Sequence, residues 1–360
     1  MSEFPVFDGH NDTLLNLHLE HRGNGRSFFQ HSKKGHIDLP RAHEGGFGGG
    51  FFAVFTPNRR RPPTKKEKKE EFKGIKVTKK GYKVPLPKPI RHKDALRFTT
   101  AVAAHLFKIE KASEGQLKVV RTARELRKCL REGILAAIFH IEGAEAIDTH
   151  FDSLHTLHAA GLRSLGLVWS RPNKFGHGVP FSFPKSSNIG PGLTKAGKRL
   201  VKECNQLKIM VDLSHLNAKG FWDVAKISDA PLVATHSNAH ALCRSPRNLT
   251  NKQLDAIKET NGMVGINFHV GFLREDGRFN QPTSLSEIVR HMRYIADRIG
   301  IDHVGFGSDF DGATMPDDLV DVAGMPKLIA ALRGSGFDDA ALKKVTHKNW
   351  ERVLRQTWGK

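Results

Sequence analysis

The feature that most constrains the fold of this chain is a regular alternation of short apolar segments with helical ones. Eight apolar runs have the length of strands, and segments with helical spacing of apolar residues separate nearly all of them. The strands are predicted at residues 5–7, 46–55, 134–141, 162–169, 209–213, 231–235, 262–268 and 304–307. Strands that are apolar throughout and joined by helices indicate a parallel sheet covered on both faces. Eight such units predict an α/β fold, a (β/α)8 TIM-type barrel, and 360 residues lie inside its length range.

A basic segment interrupts this alternation after the second strand. The chain carries 57 Lys and Arg against 37 Asp and Glu, and residues 59–93 hold fifteen Lys and Arg against three Glu. We expect a solvated insertion in a single domain spanning residues 1–360, with a small hairpin at residues 75–84. Because the insertion is distant in sequence from most of the polar strand ends, we also expect it to be peripheral to any chemistry. A second hypothesis is a polyanion-binding surface presented on the barrel, although we expect no nucleic-acid partner because no known motif is present.

Composition limits the cellular setting. The longest apolar runs, such as residues 134–139, are far shorter than the roughly 20 residues that a membrane-spanning helix needs. The N-terminal residues contain no uninterrupted apolar region of the kind that secretory signals carry. The three cysteines are far apart and form no C-x-x-C pattern. These features predict a cytoplasmic protein with free thiols.

Polar residues that can bind a metal follow the predicted strands at corresponding positions. His10 and Asp12 lie two residues apart, so in an extended chain their side chains point the same way. Taken alone, a His-x-Asp pair is a weak signal. Five strands, however, end in such residues, which are His10 and Asp12, Glu142, His215, His236 and Asp309. The C-terminal ends of barrel strands ring one mouth, where active sites lie, so we expect these residues to converge.

The donor set predicts the kind of metal site. Three imidazoles and three carboxylates without a thiolate suit Zn²⁺ or a similar divalent ion. The set exceeds what one catalytic zinc needs, which is three protein ligands and a water molecule. Two ions that share one carboxylate fit the number of ligands better. A hydroxide between them would then be the nucleophile, while the ions polarise a carbonyl group.

These motifs resemble those of the renal (membrane) dipeptidases, dinuclear zinc enzymes with an amidohydrolase-type barrel. The resemblance spans nearly the whole chain. It depends on Asp8-Gly-His-Asn-Asp12, Ile141-Glu-Gly143, Asp212-Leu-Ser-His215, Thr235-His-Ser-Asn-Ala239, Arg247-Asn248 and Gly307-Ser-Asp-Phe-Asp-Gly312. It implies a dipeptidase with two Zn²⁺ ions per chain and leaves a homodimer open as the assembly.

The resemblance also implies a role for each site residue. His10 and Asp12 would bind one zinc, Glu142 would bridge the two, and His215 and His236 would bind the second. Asp309 would handle the proton and contact the free amine of the substrate. Arg247 would hold the terminal carboxylate.

Two positions differ from the family pattern. The best-known members carry a substrate-contacting His after strand four, where Trp169 and Asn173 are the nearest candidates in this chain. They often carry Tyr after strand seven, where this chain has His269. The substrate range is therefore expected to differ. An alternative function is that of a related amidohydrolase acting on N-acyl amino acids or cyclic amides, which have no free amine for Asp309 to bind.

Overall fold

A computed structural model of the chain describes residues 4–59, 61–62, 64–65, 74–279 and 282–359. Part of the basic insertion, residues 60, 63 and 66–73, lies outside these ranges. The described strands are, in chain order, β1 (Val6–Asn11), β2 (Phe47–Phe55), β3 (Lys76–Thr78), β4 (Gly81–Lys83), β5 (Leu117–Val119), β6 (Leu135–Glu142), β7 (Leu162–Gly166), β8 (Ser182–Phe183), β9 (Met210–Asp212), β10 (Val233–Ala234), β11 (Met263–Ile266) and β12 (Val304–Phe306).

Eight of these strands form a closed parallel barrel, which confirms the predicted fold. The barrel strands follow one another in the order β2, β1, β12, β11, β10, β9, β7 and β6. The sheet closes where β2 pairs with β6, from Gly49 opposite Ala136 to Phe55 opposite Glu142. A short additional strand, β5, pairs with the beginning of β6 outside the closed ring and has no counterpart in the sequence prediction.

Helices cover the outside of the barrel. The described α-helices are Thr13–His18, Glu20–Gly23, Leu39–Glu44, His92–Ala112, Ala123–Glu132, Asp152–Ala160, Lys195–Gln206, Ala218–Ile227, Asn251–Glu259, Val270–Leu273, Ser286–Ile299, Met325–Gly334, Asp339–Lys343 and Asn349–Trp358. Short 3₁₀ turns lie at Ala144–Ala146, Ile301–His303 and Val322–Gly324, and a π-helical turn lies at Lys344–Lys348. Within the described ranges, no helix combines the length and the apolar character needed to cross a bilayer.

Side-chain caps fix where several of the outer helices begin. The hydroxyl of Thr122 accepts a hydrogen bond from the backbone N–H of Glu125. The side-chain oxygens of Thr194 and Asn217 cap the helices Lys195–Gln206 and Ala218–Ile227 in the same way. Such caps satisfy backbone donors that the first helical turn leaves unpaired, a contribution of about 1 kcal/mol each. The helix Ala218–Ile227 therefore starts directly after the loop that carries His215.

An apolar floor fills the barrel below this mouth. Trp350, from the helix Asn349–Trp358, is fully buried, and its indole N–H donates to the carbonyl oxygen of Phe306 over 3.1 Å. The Trp350 ring lies 5.1 Å from that of Phe51, which in turn lies 6.0 Å from that of Phe7. These large side chains pack the interior, so the barrel opens at its C-terminal end.

The hairpin predicted in the basic insertion is confirmed. Strands β3 and β4 pair antiparallel, with Val77 opposite Tyr82. β4 also pairs with β8, a two-residue strand in the long loop after β7, and the three strands form a second small sheet. The described part of the insertion is therefore attached to a loop of the barrel mouth, which the sequence did not predict.

Candidate metal centre and active site

The predicted ligands converge at the C-terminal mouth of the barrel. His10 belongs to the end of β1, Asp12 follows that strand, and Glu142 is the last residue of β6. His215 and His236 lie in the loops directly after β9 and β10. All five residues are buried, with exposed fractions between 0 and 6%.

The ligand atoms form two groups of three that share Glu142. The Oε1 atom of Glu142 lies 2.9 Å from Nε2 of His215 and 3.5 Å from Nε2 of His236, which makes one group. In the other group, Nε2 of His10 lies 4.0 Å from the same oxygen and 3.6 Å from Oδ2 of Asp12. One carboxylate therefore stands between two sets of donors, an arrangement that fits a pair of cations.

Unpaired buried atoms in these groups also fit a cation. Both ring nitrogens of His10 and the Oδ1 atom of Asp12 are buried without a hydrogen-bond partner among the described residues. Buried polar atoms are nearly always hydrogen-bonded in folded proteins, because an unpaired one loses its hydration without compensation. A bound metal ion would satisfy Nε2 of His10 and the free oxygen of Asp12.

Neighbouring hydroxyl groups orient the other two imidazoles. Thr235 donates its hydroxyl proton to Oδ2 of Asp212 over 2.6 Å, so its oxygen accepts the proton on Nδ1 of His236, at 2.8 Å. Similarly, the hydroxyl of Ser170 lies 3.3 Å from Nδ1 of His215. A proton held on Nδ1 leaves Nε2 with a lone pair toward Glu142, which is the tautomer that metal ligation needs.

A third group of potential ligands, His10, Asp212 and His236, overlaps the first two. Both oxygens of Asp212 are already engaged, since Oδ1 accepts from the backbone N–H groups of Ser214 and Thr235 and Oδ2 accepts from the Thr235 hydroxyl. Asp212 therefore supports the ligand His236 through Thr235, and it supplies negative charge beneath the site.

Two site residues adopt backbone conformations that L-amino acids rarely take. His215 has φ of 67° and Asp309 has φ of 61°, both in the left-handed region. Such residues cost of order 1–3 kcal/mol each and persist where the surrounding structure holds them, often at functional sites. Here the unusual backbone directs both side chains into the mouth.

In the absence of metal, the buried His10 and Glu142 side chains retain protons that a bound cation would displace. Burial raises the pKa of Glu142 to about 8. Burial alone would lower the pKa of His10, but the Glu142 and Asp12 carboxylates raise it to about 10. Burial lowers the pKa of His215 and of His236 well below the usual value, so both are neutral and able to act as ligands.

These pKa values predict that the metal-free protein releases protons when it binds metal at pH 7. His10 and Glu142 together retain at least one proton at this pH, because the pKa of each is raised, and a ligand must lose its proton before it can coordinate. We expect about one proton or more per chain, and metal affinity that rises as the pH increases from 6 to 8. Isothermal titration of metal-free protein with Zn²⁺ in two buffers of different ionisation enthalpy measures this number. A binding heat that is the same in both buffers, after correction for zinc–buffer complexes, would contradict it.

Asp309 lies beside Asp12, a member of the ligand group that contains His10, and is held by a neighbouring amide. Its Oδ2 accepts a hydrogen bond from Nδ2 of Asn267 over 2.9 Å. A Cβ added at Gly312 would overlap both Oδ1 of Asp309 and Oδ2 of Asp12, which shows that these two oxygens lie close together. Burial raises the pKa of Asp309 to about 6. The side chain is therefore positioned to exchange a proton near the metal ligands.

Arg247 is a buried cation, and not all of its guanidinium N–H groups are engaged in hydrogen bonds with the described residues. One of its terminal nitrogens donates to the backbone carbonyl of His236 over 3.1 Å. Its Nε and its other terminal nitrogen have no hydrogen-bond partner among the described residues, although the side chain is buried. The guanidinium lies 5.4 Å from the centre of the Phe272 ring. Free guanidinium donors of this kind match a carboxylate.

The remaining sequence candidates lie in different settings. Trp169 is half-buried with its ring 6.0 Å from that of His215. Asn173 donates to the carbonyl of Leu167 and accepts from the backbone N–H groups of Phe175 and Gly176, so its amide holds its own loop together. His269 packs its ring 4.5 Å from Phe272, and burial lowers its pKa to about 4, which keeps it neutral.

Sequence reasoning missed the residues that support the site. Three of them, Ser170, Thr235 and Asn267, are described above, and Arg171 is a fourth. Arg171 is fully buried and donates to Oε1 of Glu145 over 2.7 Å and to the side-chain oxygen of Asn58 over 3.0 Å. Its guanidinium also lies 5.3 Å from the Trp169 ring. A buried, paired arginine looks in sequence like any surface arginine, so no local pattern distinguishes it.

Known proteins resemble this chain over all or most of its length. A metallopeptidase structure from Rhodobacter sphaeroides, bound to a phosphinate mimic of the dipeptide L-Ala-D-Ala, is 52% identical with a TM-score of 0.92 and covers 99% of each chain. A metallopeptidase structure called dipeptidase AC is 51% identical, with a TM-score of 0.92 and complete coverage of both chains. A Klebsiella pneumoniae protein encoded in the pqqA 5′ region is 51% identical over 246 residues, 68% of this chain and 91% of that protein.

The family comparison agrees with these relatives. The sequence model of the membrane dipeptidase family matches residues 1–358, which confirms the family predicted from the motifs. The chain therefore belongs to the membrane dipeptidase family, the metal-dependent dipeptidases of peptidase family M19.

Proposed function

We propose that this chain hydrolyses the peptide bond of dipeptides with two zinc ions held by His10, Asp12, Glu142, His215 and His236. The observation that supports this most directly is the pair of three-ligand groups that share Glu142. Imidazole and carboxylate donors without thiolate favour zinc. When bound, the two ions would activate a water molecule and polarise the scissile carbonyl.

The residues of the chain itself would bind and orient the dipeptide. The Asp309 carboxylate faces the site from the mouth, where it can pair with the free α-amine of the substrate and pass a proton to the leaving amine. Arg247 would donate to the terminal carboxylate from the guanidinium N–H groups that have no partner among the described residues. Trp169 and His269 contribute apolar and neutral surface around this space. The two charges thus select a substrate that carries a free amine and a free carboxylate.

Elemental analysis and a set of blocked substrates test this function. The fully active protein should contain two zinc ions per chain, and metal-free protein should regain activity when zinc is added. A dipeptide should be hydrolysed far faster than its N-acetylated form. Preferred hydrolysis of the N-acetylated compound would instead favour the amidohydrolase alternative, and one metal ion per fully active chain would contradict the two-metal site.

The Arg247→Ala substitution should lower kcat/KM for free dipeptides roughly 10- to 150-fold. A charge-assisted hydrogen bond contributes about 1.5–3 kcal/mol, and the loss of transition-state stabilisation appears in kcat/KM. Dipeptide amides should lose little, because they lack the carboxylate that Arg247 would bind. The matched control is Arg244→Ala in the same loop, since Arg244 is exposed. If the unmutated enzyme cleaves amides as well as free dipeptides, the proposed role of Arg247 is wrong.

Organisation and location are part of the same proposal. We treat residues 1–360 as one barrel domain with the insertion at residues 59–93. The free, buried state of all three cysteines supports a cytoplasmic location. Light scattering on the purified protein tests the homodimer that the family resemblance leaves open.

A further inference from the structure

The hairpin of the basic insertion pairs with the chain segment that carries Phe181, whose ring lies 6.3 Å from that of the candidate ligand His215. We propose that it positions Phe181 as a specificity determinant, which makes the enzyme prefer an apolar side chain on the C-terminal residue of the substrate. The proposal rests on the dipeptidase function proposed above. It assigns the insertion a role in substrate selection instead of the peripheral position expected from the sequence.

Backbone hydrogen bonds hold the segment that carries Phe181 from two sides. On one side, β4 pairs with β8, and the N–H of Val84 donates to the carbonyl oxygen of Phe181 over 3.0 Å. On the other side, the N–H of Lys185 donates to the carbonyl oxygen of Arg244 over 2.8 Å. The segment therefore lies between the hairpin and the loop that presents Arg247.

Aromatic packing fastens the hairpin in this place. The ring of Tyr82 lies 6.3 Å from that of Phe183 and 5.8 Å from that of Phe279. A Cβ added at Gly81 would overlap the carbonyl oxygen of Phe183, so only glycine permits this close approach. The hairpin cannot shift without moving the strand that follows Phe181.

Phe181, the residue before this strand, extends toward the mouth of the barrel. Its ring lies 6.3 Å from that of the ligand His215 and 5.4 Å from that of Trp169. It also stacks on Phe272 at 6.3 Å with an angle of 5° between the planes. Phe181 and Trp169 are only half-buried, so both keep apolar surface available to a ligand.

The position of Arg247 indicates which part of the substrate meets this surface. Its guanidinium lies 5.4 Å from the Phe272 ring, on which Phe181 stacks. The α-carbon of a C-terminal residue carries both the carboxylate and the side chain. A carboxylate bound to Arg247 therefore places that side chain beside Phe272 and Phe181, where an apolar group is desolvated favourably.

Two variants and a pair of substrates test the proposal. Phe181→Ala should lower kcat/KM for Ala-Leu about 10-fold or more, mainly through KM, and change it less than about 3-fold for Ala-Gly. The preferred configuration of the C-terminal residue is used throughout. Gly81→Ala should act in the same direction, because the added methyl group displaces Phe183. Phe181→Leu should restore most of the Ala-Leu activity, and metal content should stay unchanged in all variants.

Matched controls separate this role from a general loss of structure. The first control is Val77→Ala, which changes a side chain of the same hairpin that is 75% exposed. The second is Gly334→Ala, which adds a Cβ where no other atom lies within contact distance. Both should leave the Ala-Leu to Ala-Gly ratio unchanged. Equal losses for both substrates, or losses that instead follow the N-terminal side chain in Leu-Gly, would overturn the proposal. Hydrolysis of Ala-Gly by the unmutated enzyme reports separately on the proposed function.

Discussion

Replacing Asp309 with Asn should lower kcat about 10²- to 10⁴-fold while metal content stays unchanged. A carboxylate near the metal ligands can accept a proton and deliver it to the leaving amine, and an amide cannot. The hydrogen bond from Asn267 to Oδ2 holds Asp309 in place and leaves Oδ1 toward Asp12. Steady-state kinetics and elemental analysis of the same preparation measure both quantities.

Asp311 is the matched control for this prediction, because the same turn carries it. Its carboxylate accepts from Thr13, from the backbone of His36 and from Arg26, with which it forms a buried ion pair at 3.1 Å. Asp311→Asn should therefore destabilise the fold, by about 3–5 kcal/mol if the pair is broken, and leave kcat of the folded enzyme nearly unchanged. A larger loss of kcat for Asp311→Asn than for Asp309→Asn would reverse the assignment.

Replacing Glu142 with Gln should remove both metal binding and turnover. Glu142 belongs to two groups of three ligands, one with His215 and His236 and the other with His10 and Asp12. One substitution therefore weakens metal binding by both groups. Gln also replaces a shared negative charge with a neutral amide, which cannot offset two cations. We expect less than one metal ion per chain after dialysis and activity at the background level.

A Glu-to-Gln substitution at the protein surface serves as the control for Glu142→Gln. Glu203 pairs with the exposed His155, so Glu203→Gln should change neither metal content nor turnover. Thermal unfolding in the presence of a chelator compares the folds of the two variants without metal. A Glu142→Gln protein that keeps two tightly bound ions would show that Glu142 does not bridge them.

The barrel and the positions of the ligands could be predicted because each depends on local patterns. Apolar runs separated by helical segments define the strands, and residues just beyond a barrel strand must face the mouth. His10, Glu142 and His236 follow from this rule without knowledge of any contact. The rule does not set the ends of the strands, because the strand predicted at residues 231–235 spans only Val233–Ala234 in the structure.

Features that depend on long-range contacts could not be predicted. The strand Ser182–Phe183 is two residues long and exists only because β4 pairs with it. The hydrogen bonds from His236 to Thr235 and from Asn267 to Asp309 form only when the loops adopt their folded conformations, and no local sequence pattern specifies these. The left-handed backbone of His215 is likewise imposed by its surroundings, because an isolated chain would avoid it.

The Trp350 floor ties the completion of the site to the order in which the chain is synthesised. A Cβ at Gly9 would collide with the Trp350 ring, so the strand that delivers His10 rests directly against this indole. That strand comes before the other seven barrel strands in the sequence, whereas the helix Asn349–Trp358 follows all eight of them. Because this indole supports the strand that carries His10, we expect the set of metal ligands to be complete only once the last helix has packed into the barrel.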